Sequence, residues 1–233
     1  LRLLNVPLEQ LEKASNTRAV AERLQVVIDA ADGVIQATSG ADASGLTIKS
    51  VREDGRVIEI SRTELLDGGA IHTLTDVTER HKAEERIRYL AHNDMLTGLP
   101  NRVLLDDKIG EMVRRAAAGN EQLLTLFIDL DGFKGVNDTM GHLLGDRLLT
   151  QVAGQIRSLA GERDFVARLG GDEFVFLRAG GDVGAGVELA RRIIDRISAP
   201  INLTGHEIRI SASIGIAAYP EDGDNQETLF RKA

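Results

Sequence analysis

Arg168-Leu169-Gly170-Gly171-Asp172-Glu173-Phe174 is the stretch on which the reading of this chain turns. Two glycines supply the positive φ of a tight hairpin, and two adjacent carboxylates follow them at the head of an apolar run. Alone, that is a turn with solvated acids, because short motifs often match by chance. A second segment changes the reading: Phe127-Ile128-Asp129-Leu130-Asp131-Gly132-Phe133-Lys134-Gly135-Val136-Asn137-Asp138-Thr139-Met140-Gly141-His142, followed by Gly145-Asp146. Asp129 and Asp131 end the run Leu123-Leu124-Thr125-Leu126-Phe127-Ile128, which reads as a buried strand. Charges at the mouth of a buried strand are costly unless they coordinate or pair.

Outward from these segments the chain alternates helical and strand patterns. Leu105, Ile109, Met112 and Ala116 share one helical face, stopped by Gly119; Leu148, Val152, Ile156 and Leu159 share another, stopped by Gly161. Val187, Ala190, Ile194 and Ile197 make a third, ended before Pro200. Strands are expected at 122–130, 164–169, 173–178 and 208–217, which predicts an α/β (α+β) fold with helices packed on one sheet.

The N-terminal third reads differently. Asp54-Gly55 is a turn, Val57-Ile58-Glu59-Ile60-Ser61-Arg62 alternates as a strand, Asp67-Gly68-Gly69 turns again, and a strand runs through Ile71 and Leu74. Asp76 with Glu79 forms a capping box for a helix to about His92. Along it Ala83, Ile87 and Leu90 recur at heptad-like spacing, a pattern shared by an amphipathic linker packed on its own domain and by a dimer seam.

Composition narrows the function classes. The 36 acidic residues against 28 basic ones leave a net charge of −8, which argues against an extended nucleic-acid or anionic-membrane surface, so phosphate contacts must be local. There is no cysteine, which excludes disulfides, thiol nucleophiles and thiolate-bound metals and fits a cytoplasmic location. No apolar run approaches the ~18 residues of a membrane span. The chain does not start with Met, so it reads as a piece of a longer protein whose membrane anchor, if it has one, lies upstream.

The two acidic segments suit phosphoryl transfer, which needs a metal to neutralise phosphate charge, an activated hydroxyl and donors for the leaving pyrophosphate. Asp129 and Asp172 offer hard oxygens at the ends of neighbouring strands, and a carbonyl near Leu130 adds a third ligand, as Mg²⁺ (or Mn²⁺) prefers. Glu173 either joins the metal set or accepts the hydroxyl proton; a carboxylate beside a cation stays ionised, which favours ligation. The backbone N–H groups of Gly132-Phe133-Lys134 form an anion-binding concavity, with the Lys134 ammonium reaching a phosphate. Asn137 donates and accepts, and Asp146 accepts two hydrogen bonds, which matches the N1–H, 2-amino group and N3 of guanine; adenine lacks that donor pair. Asp146 is otherwise a favourable first-turn acid of the next helix. His142, a lone histidine, is given no chemistry.

Residues 93–233 resemble the GGDEF family of diguanylate cyclases, through both acidic segments, Asp94-Met95-Leu96-Thr97-Gly98-Leu99-Pro100-Asn101-Arg102 and the late strand Ser211-Ala212-Ser213-Ile214-Gly215-Ile216-Ala217. The resemblance implies a central five-stranded sheet like that of adenylyl cyclase catalytic domains, and condensation of two GTP into cyclic di-GMP across a homodimer. It implies metal ligation by Asp129, the Leu130 carbonyl and Asp172, with Glu173 as ligand or base. Guanine falls to Asn137 and Asp146, and the phosphates to Gly132, Phe133 and Lys134. Product-inhibited members carry Arg-x-x-Asp before the motif; here the window is Gly161-Glu162-Arg163-Asp164, which implies that the inhibitory site is lost. The chain stops after Leu229-Phe230-Arg231-Lys232-Ala233, before the Lys and Arg that clamp the terminal phosphates in the family.

Residues 1–78, through Glu53-Asp54-Gly55-Arg56, Leu66-Asp67-Gly68-Gly69-Ala70 and Thr75-Asp76-Val77-Thr78-Glu79-Arg80, resemble the C-terminal half of a PAS sensor domain, with 79–92 as a signalling helix; residues 1–50 carry little of the likeness. The stretch Pro200–Ile208 looks like that of GGDEF domains that precede an EAL phosphodiesterase domain. An inactive GTP-binding module regulating such a downstream domain is therefore the alternative reading.

Overall fold

The computed structural model describes residues 35–36, 46–52, 54–65 and 70–233. The chain divides into two compact units that part between Ile87 and Arg88.

In the first unit, β1 (Ile35–Gln36), β2 (Leu46–Val51), β3 (Val57–Glu64) and β4 (Ala70–Asp76) form an antiparallel sheet in that order. Strand β2 had no counterpart in the sequence reading, and the expected Asp67-Gly68-Gly69 turn lies outside the described residues. Gly55, at φ 80°, makes the β2–β3 turn, closed by bonds from Arg52 N to Arg56 O and from Gly55 N to Arg52 O, both 2.9 Å. Helix α1 (Thr78–His92) starts where Asp76 Oδ1 accepts from Thr78 N at 3.0 Å. The reciprocal half of the predicted capping box is not made: Glu79 accepts from Lys82 instead, at 3.1 Å. No residue of α1 is buried, and Ile87 is 67% exposed.

The second unit is built on β5 (Leu123–Asp131), β6 (Phe165–Gly170), β7 (Glu173–Ala179) and β10 (Ser211–Tyr219), an antiparallel sheet in the order β10-β5-β7-β6. The sheet has four strands among the described residues, not the five implied by resemblance. The stretch 208–217 is also two elements rather than one. Thr204 (φ 50°) and Gly205 (φ 85°) fold β9 (His206–Ile208) back onto β8 (Ile201–Leu203), so those backbone groups are satisfied in a separate ladder.

Strand alternation decides the layers. Leu124, Leu126, Ile128 and Leu130 of β5 join one core with α4 (His142–Arg157) and α5 (Val183–Ser198), while Leu123 and Phe127 face the other core, under α2 (Arg102–Gly119). The Phe230 ring of α6 (Gln226–Lys232) meets Phe127 edge-on, with centroids 5.6 Å apart. Each fully buried large side chain of these cores, such as Leu126 or Ile128, contributes ~1.5–3 kcal/mol. Helix α2 buries the four predicted residues, and Asn101 Oδ1 caps it from Leu104 N at 3.2 Å. Helix α4 ends at Arg157, short of Leu159 and Gly161. Helix α5 buries Leu189, Ala190, Ile193 and Ile197 rather than Val187 and Ile194, because Gly186 lies against Leu124 and Ile216 and turns that stripe onto the sheet.

Candidate functional site

Past Phe127, the outer face of β5 carries Asp129 and Asp131, both exposed, while Leu130 between them is buried. In register, Asp129 stands between Glu173 of β7 and Ser213 of β10, so the three share one face of the sheet. Asp172 sits in the turn from β6 to β7, made by Gly170 (φ 145°) and Gly171 (φ 54°). A Cβ on either glycine would meet nothing within 4 Å, so backbone conformation, not space, demands glycine there. Asp129 and Glu173 thus stand opposite each other in register, with Asp172 in the turn immediately before Glu173.

Partial desolvation at the strand end raises the Asp129 carboxyl from its ordinary value, and the charges of Asp172 and then Asp131 raise it further. Crowded like charges are unfavourable until a cation neutralises them. That is the observation on which a divalent metal fits these residues. Among the described residues no three Asp, Glu or His side chains form a ready metal cage. Two carboxylates with a backbone carbonyl, completed by ligand or solvent oxygens, is a coordination Mg²⁺ accepts. Asp131 was given no role from sequence; Ser213 Oγ donates to its Oδ1 at 2.8 Å and so fixes it beside Asp129.

The Gly-Gly turn is itself held. Arg168, 7% exposed, donates from Nη2 and Nε to the Gly171 carbonyl at 2.7 and 3.2 Å and from Nη1 to Asp94 Oδ1 at 2.7 Å. Asp94 Oδ1 also accepts from the Thr97 N–H at 2.9 Å and the Thr97 hydroxyl at 2.6 Å. Burial acts to raise the Asp94 carboxyl, but the Thr97 hydroxyl, Arg168 and the Thr97 N–H together hold it below its ordinary value. An arginine placed two residues before the glycines was the available signal for this clamp. Its partner, across 74 residues, had none.

The concavity expected at Gly132-Phe133-Lys134 is a helix N-terminus. Helix α3 (Phe133–Met140), absent from the sequence reading, begins at Gly132 (φ 81°), and no side chain caps it. Its first-turn N–H groups and positive dipole end suit a phosphate, and Lys134 is exposed beside them. Phe133 is 8% exposed and joins the core, so its backbone is the part left for an anion. Asn137, one turn on, has its Oδ1 buried without a hydrogen-bond partner. Asp146 is exposed on α4, next to Gly145, which packs against Asn137. Elements α3 and α4 thus bring the two expected base-reading residues into one corner, turned at Gly141 (φ 82°).

At the other end of the sheet, Gly161 donates its N–H to Asp164 Oδ2 at 2.9 Å. The same carboxylate receives Arg178 Nη2 at 2.7 Å and Nε at 3.2 Å, and Asp164 is 7% exposed at its side chain. Arg163 is paired with Glu121.

Comparison with known proteins identifies the family. Residues 91–233 match the family described as diguanylate cyclase, GGDEF domain, and residues 2–85 match a PAS fold, which extends over the stretch where the sequence carried little likeness. A bifunctional diguanylate cyclase/cyclic di-GMP phosphodiesterase, MucR of Pseudomonas aeruginosa, is 46% identical over 156 residues, which is 67% of this chain and 23% of that protein. Diguanylate cyclase TpbB of the same species is 39% identical over 196 residues, 80% of this chain and 45% of that one. The crystal structure of a sensory box/GGDEF family protein from Caulobacter crescentus superposes with a TM-score of 0.59 at 41% identity, covering 61% of this chain and 92% of that one. The chain spans about a quarter of the length of the curated relatives first matched. No described helix is long and apolar enough to cross a membrane.

Proposed function

The chain belongs to the diguanylate cyclase family defined by its GGDEF domain, and on that footing we propose that it condenses two GTP into cyclic di-GMP, with release of two pyrophosphates, as a Mg²⁺-dependent homodimer under control of its PAS-like region. The reading rests on one observation: the Asp129/Asp172/Glu173 strand end, the uncapped start of α3 and the Asn137/Asp146 corner lie on elements that adjoin in one unit.

In this reading Asp146 accepts from guanine N1–H and the 2-amino group while Asn137 meets N3. The α3 N-terminus and Lys134 hold phosphate oxygens, and Asp129, Asp172 and the Leu130 carbonyl hold the metal. The bound cation neutralises charge on the phosphates of the GTP. Glu173, opposite Asp129 in register, is placed to ligate or to take the proton of the attacking 3′-hydroxyl. With one GTP held per domain, two domains must meet: the 3′-oxygen of each GTP bonds to the α-phosphorus of the GTP held by the partner domain, its proton leaves to a carboxylate or solvent, and the bond from that phosphorus to pyrophosphate breaks. The exposed Ala83, Ile87 and Leu90 of α1 supply a seam through which two copies meet.

Incubation with GTP and Mg²⁺ followed by nucleotide analysis tests this: cyclic di-GMP is the expected product. GTP binding with no product would favour the second reading, a regulatory module ahead of an EAL domain, which the likeness to the bifunctional MucR keeps in view.

A further inference from the structure

We infer that Gly145 is a positioning residue for Asn137, the residue read above as meeting guanine N3; the inference rests on that reading. Gly145 lies inside helix α4 and is buried, and its φ is not among the positive values, so the backbone does not require glycine there. Glycine weakens a helix interior relative to alanine, so another cause must favour it.

The cause is the neighbouring side chain. A Cβ at position 145 would stand 1.9 Å from Asn137 Oδ1, 3.0 Å from its Cγ and 3.3 Å from Phe133 Cζ. Asn137 and Phe133 are four residues apart, on one face of α3, and that face packs on α4 at Gly145. Asn137 Oδ1, buried and without a hydrogen-bond partner, is the carbonyl end of the amide turned into this seam. That leaves Nδ2, a donor, as the end available to the N3 acceptor of a purine. Gly154 of the same helix is a built-in contrast: a Cβ there meets nothing within 4 Å.

A methyl group at 145 would collide with the tip of a movable side chain rather than with backbone. The helix pair can therefore keep its fold while Asn137 is driven from its seat. Gly145 acts on the base only through Asn137.

Four variants of the whole chain test this, with GTP affinity measured calorimetrically in Mg²⁺ and thermal unfolding recorded alongside: Gly145→Ala, Asn137→Ala, the double variant and Gly154→Ala. Gly145→Ala should weaken GTP about five- to tenfold, roughly the loss of one neutral hydrogen bond, and Asn137→Ala by a similar factor. The double variant should bind no worse than Asn137→Ala, and Gly154→Ala should bind like the unaltered chain. Unaltered affinity in Gly145→Ala, or a further multiplied loss in the double variant, would overturn the assignment. If Gly145→Ala fails to fold, the double variant should fold, because the added methyl occupies the space of the removed amide; a double variant that also fails to fold overturns it. Absence of GTP binding by the unaltered chain would instead refute the functional reading. The Asn137 side-chain amide signals in NMR then still decide the seat: they should shift in Gly145→Ala and not in Gly154→Ala, and no shift refutes it.

Discussion

Replacing Arg168 by Met should destabilise the unit beyond Arg88 by about 3 kcal/mol. Met matches the length of the arginine stem, so little packing is lost and the effect reports the guanidinium. Three hydrogen bonds disappear, one to Asp94 Oδ1 and two to the Gly171 carbonyl. Breaking a buried pair by removing one partner costs about 3–5 kcal/mol. Asp94 retains 22% side-chain exposure and the two Thr97 donors, which puts the loss at the lower end. Adding Asp94→Asn removes the stranded charge while keeping an oxygen for Thr97, so the double variant should lose only about 1–2 kcal/mol, the cost of the orphaned carbonyl. The chain's two tyrosines, Tyr89 and Tyr219, both lie in this unit, and there is no tryptophan, so tyrosine fluorescence in urea follows it selectively. At a slope of ~2 kcal/mol per molar, the single variant's midpoint should fall by about 1.5 M. The pH arm has a definite sign. The Asp94 carboxyl is depressed in the fold, so its contribution is present above the unfolded value of about 3.9 and is lost as pH falls through the lower folded value. The gap between the unaltered chain and Arg168→Met should therefore narrow in strong acid to the cost of the orphaned Gly171 carbonyl. A double variant as unstable as the single one, or a gap that ignores pH, would refute the clamp.

Asp129→Ala and Asp172→Ala should each abolish cyclic di-GMP synthesis with the fold kept, since both side chains stand at a strand end outside the core; continued synthesis in a nucleotide assay would sink the metal assignment. Asp146→Ala should weaken GTP more than ATP, by about 1.5–3 kcal/mol for a charged hydrogen bond, and an equal loss for both would reduce Asp146 to a helix acid. Cyclic di-GMP should bind no second site in calorimetry on an active-site-blocked chain, because Arg178 and the Gly161 N–H already occupy Asp164; tight binding of more than one ligand per protomer would contradict that.

How much of the fold was legible follows the range of the forces. The faces of α2 and most of α4 came from local spacing, because a helix packed on a sheet buries a stripe that repeats every three to four residues. In helix α5 Ala190 and Ile197 are buried as expected but Val187 and Ile194 are not: glycines carry no hydropathy, yet a Cβ on Gly186 would meet Leu124 and Ile216, so that side of the helix faces the sheet. Helix α3 was missed for a related reason. Gly132, Gly135 and Gly141 mark Phe133–Met140 as a loop, and only its packing on α4 through Phe133 makes the turns worthwhile.

The candidate site divides along the same line. Asp129, Asp172, Glu173, Asn137 and Asp146 stand out in the sequence as candidates because a group proposed to hold a ligand must carry charge or donors, and carboxylates at the end of an apolar run are conspicuous. Their holders were not. Ser213 meets Asp131 across 82 residues and Arg168 meets Asp94 across 74, so each pairing exists only once the strands are in register and the loop at 94–101 is docked. A serine or a glycine is compatible with almost any surface, and its significance lies in what stands opposite. The backbone bond from Arg168 N to the Pro100 carbonyl, at 2.9 Å, ties that loop to β6 and so sets where Asp94 meets the guanidinium. The geometry that carries Asp172 therefore depends on a contact between two segments that local sequence leaves unrelated.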